Sequence, residues 1–221
     1  MPVKGHIVIW LFAASAIPGL ISPAKATDRD PASKVSDHCV GRVLVSADFS
    51  SGEVIGYYSF LDGVAGSIFS GTPSEATAYF MLRSDTFSVQ SLTNGPVTAT
   101  LANPGTFTIY LNATPGGNWS NPDSFSSGQP IATFLRSEAM LTNAGPTALV
   151  MFSATLVSGV DFTFQGRTYN FNKLVPNGIT HLFTASNTVL TGTGTFPLAF
   201  ALAGSNLAIG SKLSALGPDA K

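Results

Sequence analysis

From about position 40 to position 203 the chain runs in short stretches where apolar residues alternate with Thr, Ser or Gly, separated by clusters of turn-forming residues. "TFTIYLN" is the plainest case, with Phe107, Ile109 and Leu111 on one side and Thr106, Thr108 and Tyr110 on the other. A period of two places alternate side chains on opposite faces of a strand, so this is the pattern of a half-buried β-strand. Turn chemistry cuts the chain at Ser51-Gly52, Asp62-Gly63, 70–74, 93–96, 103–105, 114–123, 126–130, 142–146, 165–166 and 175–178. Between these cuts the pattern predicts strands over 40–49, 53–60, 75–83, 86–92, 97–102, 106–112, 131–141, 147–157, 160–164, 167–172, 180–186 and 196–203. A short helix is allowed only near 207–216. The expected fold is therefore all-β: a single-domain antiparallel β-sandwich or small β-barrel of roughly ten strands.

Two strands break the alternation. "TALVMFSATLV" and "FPLAFALA" are apolar on both faces, which predicts cover on both sides by a second sheet, a loop, a ligand or another copy of the chain. The segment "VDFTFQGRTYNFN", 160–172, carries four aromatic rings around a Gln-Gly pair. If Gln165-Gly166 is a two-residue hairpin loop, Phe164 faces Arg167, Thr163 faces Thr168, Phe162 faces Tyr169 and Val160 faces Phe171. One side of the hairpin is then aromatic and the other polar, as in a hairpin covering a core. The alternative is that this face lines a cavity, with Tyr169 and Arg167 as polar handles. A gapped internal repeat also emerges. "FSGTPSEATAYFMLRSD" and "FSSGQPIATFLRSE" share their order of residues, and each is followed by a second turn, "LTNGPVTA" or "LTNAGPTA". This predicts two equivalent hairpins in one fold. Arg83 with Asp85, and Arg136 with Glu138, are expected to form surface ion pairs of small energetic value.

Composition strengthens the β reading. Charged residues are 10% of the chain, too few to supply helices with their usual charged faces. The first 26 residues read as an export signal, with Lys4 before an apolar run and Ala24-Lys25-Ala26 as the cleavage site. A flexible segment over 27–38 and a single β domain over 39–221 are expected to follow, in a secreted or periplasmic protein with no membrane span once the signal is removed. The mature chain would keep nine basic and twelve acidic residues, a net charge of −3. No basic cluster is present for nucleic acid or for anionic lipid.

Candidate chemistry is sparse. Cys39 is the single cysteine, so no intramolecular disulfide can form. It is read as a semi-buried thiol, with a metal site shared with His38 or an intermolecular disulfide as the alternatives. No nucleophile elbow, zinc-protease, phosphate-loop, dinucleotide or calcium motif occurs, and neither a cofactor nor a metal is expected. The scarce carboxylates Glu75, Asp85, Asp123, Glu138 and Asp161 are candidates for acid–base work, but nothing pairs them in sequence. His181 shares a strand face with Ile179 and Phe183 and is read as a core or rim residue, with general-base chemistry as the alternative. Trp119 lies in the longest irregular segment, where it either plugs one end of the fold or stacks on a sugar or flat apolar ligand. Candidate ligand-binding residues are thus Trp119, Tyr169, Arg167 and His181.

Three functional readings follow. The first is an exported non-catalytic module binding a small apolar or carbohydrate ligand. The second is a secreted hydrolase or barrel-type cyclase using scattered carboxylates or His181. The third is a self-associating surface or matrix protein, a homo-oligomer that buries its doubly apolar strands.

Overall fold

The computed structural model describes residues 33–143 and 145–210. The expected signal segment and most of 207–216 therefore lie outside the described residues. The described chain holds thirteen strands: β1 Ser33–Val45, β2 Ser51–Leu61, β3 Phe80–Ser84, β4 Phe87–Asn94, β5 Val97–Ala102, β6 Gly105–Leu111, β7 Gln129–Arg136, β8 Ala139–Asn143, β9 Thr147–Gly159, β10 Phe162–Phe164, β11 Arg167–Tyr169, β12 Ile179–Thr193 and β13 Phe196–Ile209. Two short helical turns complete it, a 3₁₀ turn at Pro122–Ser126 and α1 at Phe171–Leu174.

The protein is all-β and forms a closed antiparallel barrel. Its strands run in the order β1-β13-β12-β9-β7-β6-β3-β2, and β2 pairs back onto β1. The remaining long strands are continuations of this wall. β4 follows β3 after Asp85 and Thr86, β5 leads into β6 through Asn103 and Pro104, and β8 follows β7 after Ser137 and Glu138. Both halves of each bent strand keep the same neighbours. Thus β2 pairs with β3 at Ile55–Tyr57 and with β4 at Ser51–Gly52, while β9 pairs with β8 at Ala148–Met151 and with β7 at Ala154–Gly159. The wall is a simple up-and-down meander of eight chain passes, three of them bent.

Side-chain oxygens take up backbone N–H groups at the bends, where the ladder between strands is interrupted. Ser84 Oγ accepts from the Val54 N–H at 2.8 Å, Asn103 Oδ1 from the Ser88 N–H at 2.8 Å, and Ser137 Oγ from the Ser153 N–H at 3.2 Å. Pro104, which has no N–H to place, sits at one bend. The two "LRS" segments of the repeat occupy corresponding bends, and their serines do the same job. Their arginines diverge. Arg83 turns outward to Glu53 (3.1 Å) and Asp123 (2.5 Å), whereas Arg136 turns into the barrel. The expected pairs of Arg83 with Asp85 and of Arg136 with Glu138 are not formed: Asp85 accepts from Thr106 instead.

The barrel interior is filled by the inward residues of the alternating strands, among them Phe80, Phe107, Ile109, Phe134 and Phe183. Phe107 and Phe134 stack face to face with centroids 5.1 Å apart. One end of the barrel is closed by the segments joining β2 to β3 and β9 to β12. The hairpin β10–β11 pairs Phe162 with Tyr169, Thr163 with Thr168 and Phe164 with Arg167, the register that a two-residue loop dictates. Gln165 and Gly166 both have positive φ, 48° and 76°, as a tight hairpin turn of this hand requires. Phe162, Phe164 and Phe171 are buried against Phe80 and Phe134. The Val160–Phe171 pair is not made, because Asn170 accepts from the Asn172 N–H and starts α1 at Phe171.

A second, smaller core lies outside the wall. Phe125, carried by the 3₁₀ turn, covers the outward residues Leu44, Ile55, Met81 and Ala199. Other departures from the sequence reading are local. β1 begins at Ser33, so residues 33–38 are strand and not a flexible segment. Residues 75–79 precede β3, and 131–141 is split by the bend at Ser137.

The cap makes a direct prediction for stability. Phe162→Ala should cost about 3–5 kcal/mol by opening a hole in the aromatic cluster, while Arg167→Ala, at the exposed hairpin tip, should stay within about 0.5 kcal/mol. Urea denaturation of the two variants measures both.

Candidate functional site

Inside the barrel the packing is incomplete. A cavity of about 110 Å³ is lined by residues from all eight passes of the wall, chiefly apolar: Val43, Val54, Leu82, Val150, Phe183 and Leu202 represent six of them. A single water needs only ~10–15 Å³ of such space, so the room is that of a small ligand. The lining extends from the level of Cys39 and Asn206 down to Val89, Thr100 and Leu141, toward the end of the barrel away from the aromatic cap. Polar groups in the lining are few: Arg136, His181 and Asn206, with Tyr58, Ser84 and Thr100 among the apolar residues.

His181 is held by its neighbours on every side. Its ring stacks on Phe183, centroids 3.5 Å apart, and on Phe152 at 4.1 Å. Its Nδ1 is 2.7 Å from Asn206 Oδ1; an amide oxygen only accepts, so Nδ1 carries the proton and Nε2 is the free acceptor. The Asn206 amide donates in turn to Asp37 Oδ1 at 2.6 Å. Ser36 Oγ lies 2.9 Å from Asp37 Oδ2 and 3.2 Å from the Asn206 carbonyl. Burial pushes Asp37 up to about 7, against the pull of its bonds to Ser36 and Asn206. Burial, aided by the Arg136 charge, pushes His181 down to about 3. With Asp37 protonated, its hydroxyl donates to Ser36 and Ser36 donates to the Asn206 carbonyl, so every proton in the chain has an acceptor. Once Asp37 ionises, the single Ser36 proton can serve only one of its two acceptors.

Arg136 is the other polar feature. The residue is 6% exposed. Its guanidinium donates to the carbonyls of Ala102 (3.3 Å), Ser137 (3.3 Å) and Asn103 (2.7 Å) at two of the wall bends. It lies over the rings of Phe87, at 5.2 Å, and Phe152, at 5.6 Å. Among the described residues no carboxylate forms an ion pair with it.

Of the four residues singled out from sequence, only His181 lines this cavity. Tyr169 is in the cap, stacked on Phe162, and its hydroxyl accepts from the Ala65 N–H at 3.1 Å. Arg167 is exposed at the hairpin tip, and the cation–π contacts among the described residues do not include one with Phe164. Trp119 packs on the outside of the wall, not at an end. Arg42 sits over its ring at 4.6 Å and Phe125 lies at 4.8 Å. The carboxylates are scattered, with Asp123 on Arg83 and Asp161 accepting from Asn170. Cys39 points into the barrel while His38 turns outward to Ser205, so the two do not share a site. Among the described residues no group of three or more His, Cys, Asp or Glu side chains is arranged to hold a metal. Sequence reading missed Arg136, Asn206 and Asp37. A signal for Arg136 was present in "ATFLR", where it has the same parity as Ala132 and Phe134 and so shares their inward face.

No protein-family model, curated protein or solved structure matches the chain.

The buried chain predicts a pH signature. Asp37 titrates at 3.8 when unfolded and about 7 when folded, so its burial weakens folding as pH rises through that window. His181, at 6.5 unfolded and about 3 folded, strengthens folding as pH rises between those values. The two slopes oppose each other from about pH 4 to 6.5. Asp37→Asn keeps the hydrogen bonds of the protonated acid and removes only the first slope. Its stability relative to the wild type should therefore rise by on the order of 3 kcal/mol between pH 4 and pH 7. Urea denaturation at the two pH values tests this, and a constant difference would contradict it.

Proposed function

We propose that the protein is an exported, non-catalytic binding protein whose barrel lumen takes a small apolar ligand. The observation that carries this reading is the cavity: about 110 Å³, walled by every strand of the barrel and mostly apolar, with few polar groups. Small-molecule sites have this character, an apolar enclosure with a few placed polar groups that set orientation. The carbohydrate alternative draws less support, because the Trp119 ring is engaged by Arg42 and Phe125. The enzyme alternative lacks a titratable group at the cavity poised near neutrality. His181 is held neutral, and Asp37 lies behind Asn206, outside the lining.

The test uses 1-aminoanthracene, an uncharged apolar fluorophore. It should bind saturably with one site per chain, and the filling variants Thr100→Leu and Ala139→Leu should each weaken it at least tenfold while leaving the far-ultraviolet circular dichroism unchanged. Absence of saturable binding to the wild type would overturn the reading.

A specific observation favours self-association as an additional property. Met140, Met151 and Leu182 are aligned across three adjacent strands, β8, β9 and β12, and are 43%, 46% and 44% exposed, with Leu149 beside them at 47%. This is the outer face of one of the doubly apolar strands, uncovered in a single chain, and apolar patches of this kind mark interaction surfaces. Sedimentation velocity at micromolar concentration should show a dimer or larger species that Met151→Glu converts to monomer. A wild-type monomer would remove the proposal.

A further inference from the structure

We infer that the lumen selects a small amphipathic monoanion, a carboxylate whose apolar body fills the cavity and whose charged group meets Arg136. This rests on the lumen-binding reading above and specifies its ligand class. The starting point is the cost of the arginine. A guanidinium cannot shed its proton in a protein, and a charge taken out of water without a counter-charge is expensive. Arg136 is nevertheless placed in the wall of an apolar cavity, with three backbone carbonyls and two aromatic faces as company. Carbonyls and ring faces hold the guanidinium in position, yet none of them carries a formal negative charge. Its counterpart on the outer wall, Arg83, has two carboxylates. The contrast separates an arginine with a structural ion pair from one in the cavity wall that has none among the described residues.

The rest of the lining agrees in sign and number. No Asp or Glu is among the cavity residues, so nothing there repels an anion. Burial keeps His181 uncharged, which leaves Arg136 as the single formal charge and matches a ligand with one negative group. The Arg136 Nε–H makes no hydrogen bond among the described residues. The fork geometry of a guanidinium suits the two oxygens of a carboxylate. The apolar residues that continue from this level, among them Val54, Val89, Leu141 and Val150, would hold a short hydrocarbon or ring system.

The experiment compares two probes of equal chain length, octanoate and octan-1-ol, as competitors of 1-aminoanthracene at pH 8. Octanoate should displace the fluorophore at least tenfold more effectively than octan-1-ol from the wild type. Arg136→Gln, which keeps donors for the bend carbonyls, should abolish that preference while still binding octan-1-ol, and Arg136→Lys should restore part of it. Equal competition by the two probes in the wild type would overturn the inference and leave the lumen reading intact. Failure of the wild type to bind the fluorophore or either competitor would remove both. Since the wild-type comparison needs no variant, the inference stays open to refutation even if Arg136→Gln fails to fold.

Discussion

A closed barrel has no edges, so every backbone N–H in the wall needs an acceptor in the adjacent strand, and any bend in the wall threatens several at once. The whole architecture turns on how this constraint is met at three places. Ser84, Asn103 and Ser137 each supply a side-chain oxygen where a ladder carbonyl is missing. Three passes of the chain can then change direction without leaving a polar group stranded. The bent passes supply seven of the cavity residues from β4, β5 and β8 and from Arg136 beside them: Phe87, Val89, Thr100, Ala102, Arg136, Ala139 and Leu141. Closure, curvature and cavity are three aspects of one hydrogen-bonding solution.

The two ends of the barrel are treated differently. One is sealed by aromatic residues brought back from the segments between β2 and β3 and between β9 and β12. Gly66 shows how closely these segments fit. A side chain at that position would overlap the Gln165 amide, which donates to the Ser67 carbonyl at 2.8 Å and ties the two covering segments together. The other end is formed by tight hairpin turns and lies nearer the cavity. A rigid seal at one end and a partly filled interior toward the other give the molecule a direction that its simple meander does not.

Much of this was legible in the sequence because it depends on short-range rules. Alternation in "TFTIYLN" located β6, and the Gln-Gly loop fixed the β10–β11 register down to the individual pairs. The repeat pointed to two corresponding hairpins, and the two serines at its centre are structurally equivalent. What was not legible depends on parity across a bend. A shift of one residue decides whether an arginine faces solvent or lumen, and "LRS" reads the same in both cases. Asn206, His181 and Asp37 come from three different strands, and only strand order brings them into one chain of hydrogen bonds. Trp119 was misplaced for a related reason. The segment that carries it covers the outside of the wall, a location that no local pattern specifies.

Cys39 has one more implication. It is the sole thiol of the chain, is 1% exposed, and has its pKa raised well above the usual thiol value by burial, reinforced by the nearby Asp37. A thiol kept protonated and shielded is a poor nucleophile and a poor target for oxidants. The fold contains no intramolecular disulfide that a reductant could cut, and its lone thiol is shielded; the exposed sulfurs among the described residues are the thioethers of Met140 and Met151. Oxidative chemistry is thereby directed to the outer apolar face that carries those two methionines, and away from the barrel interior.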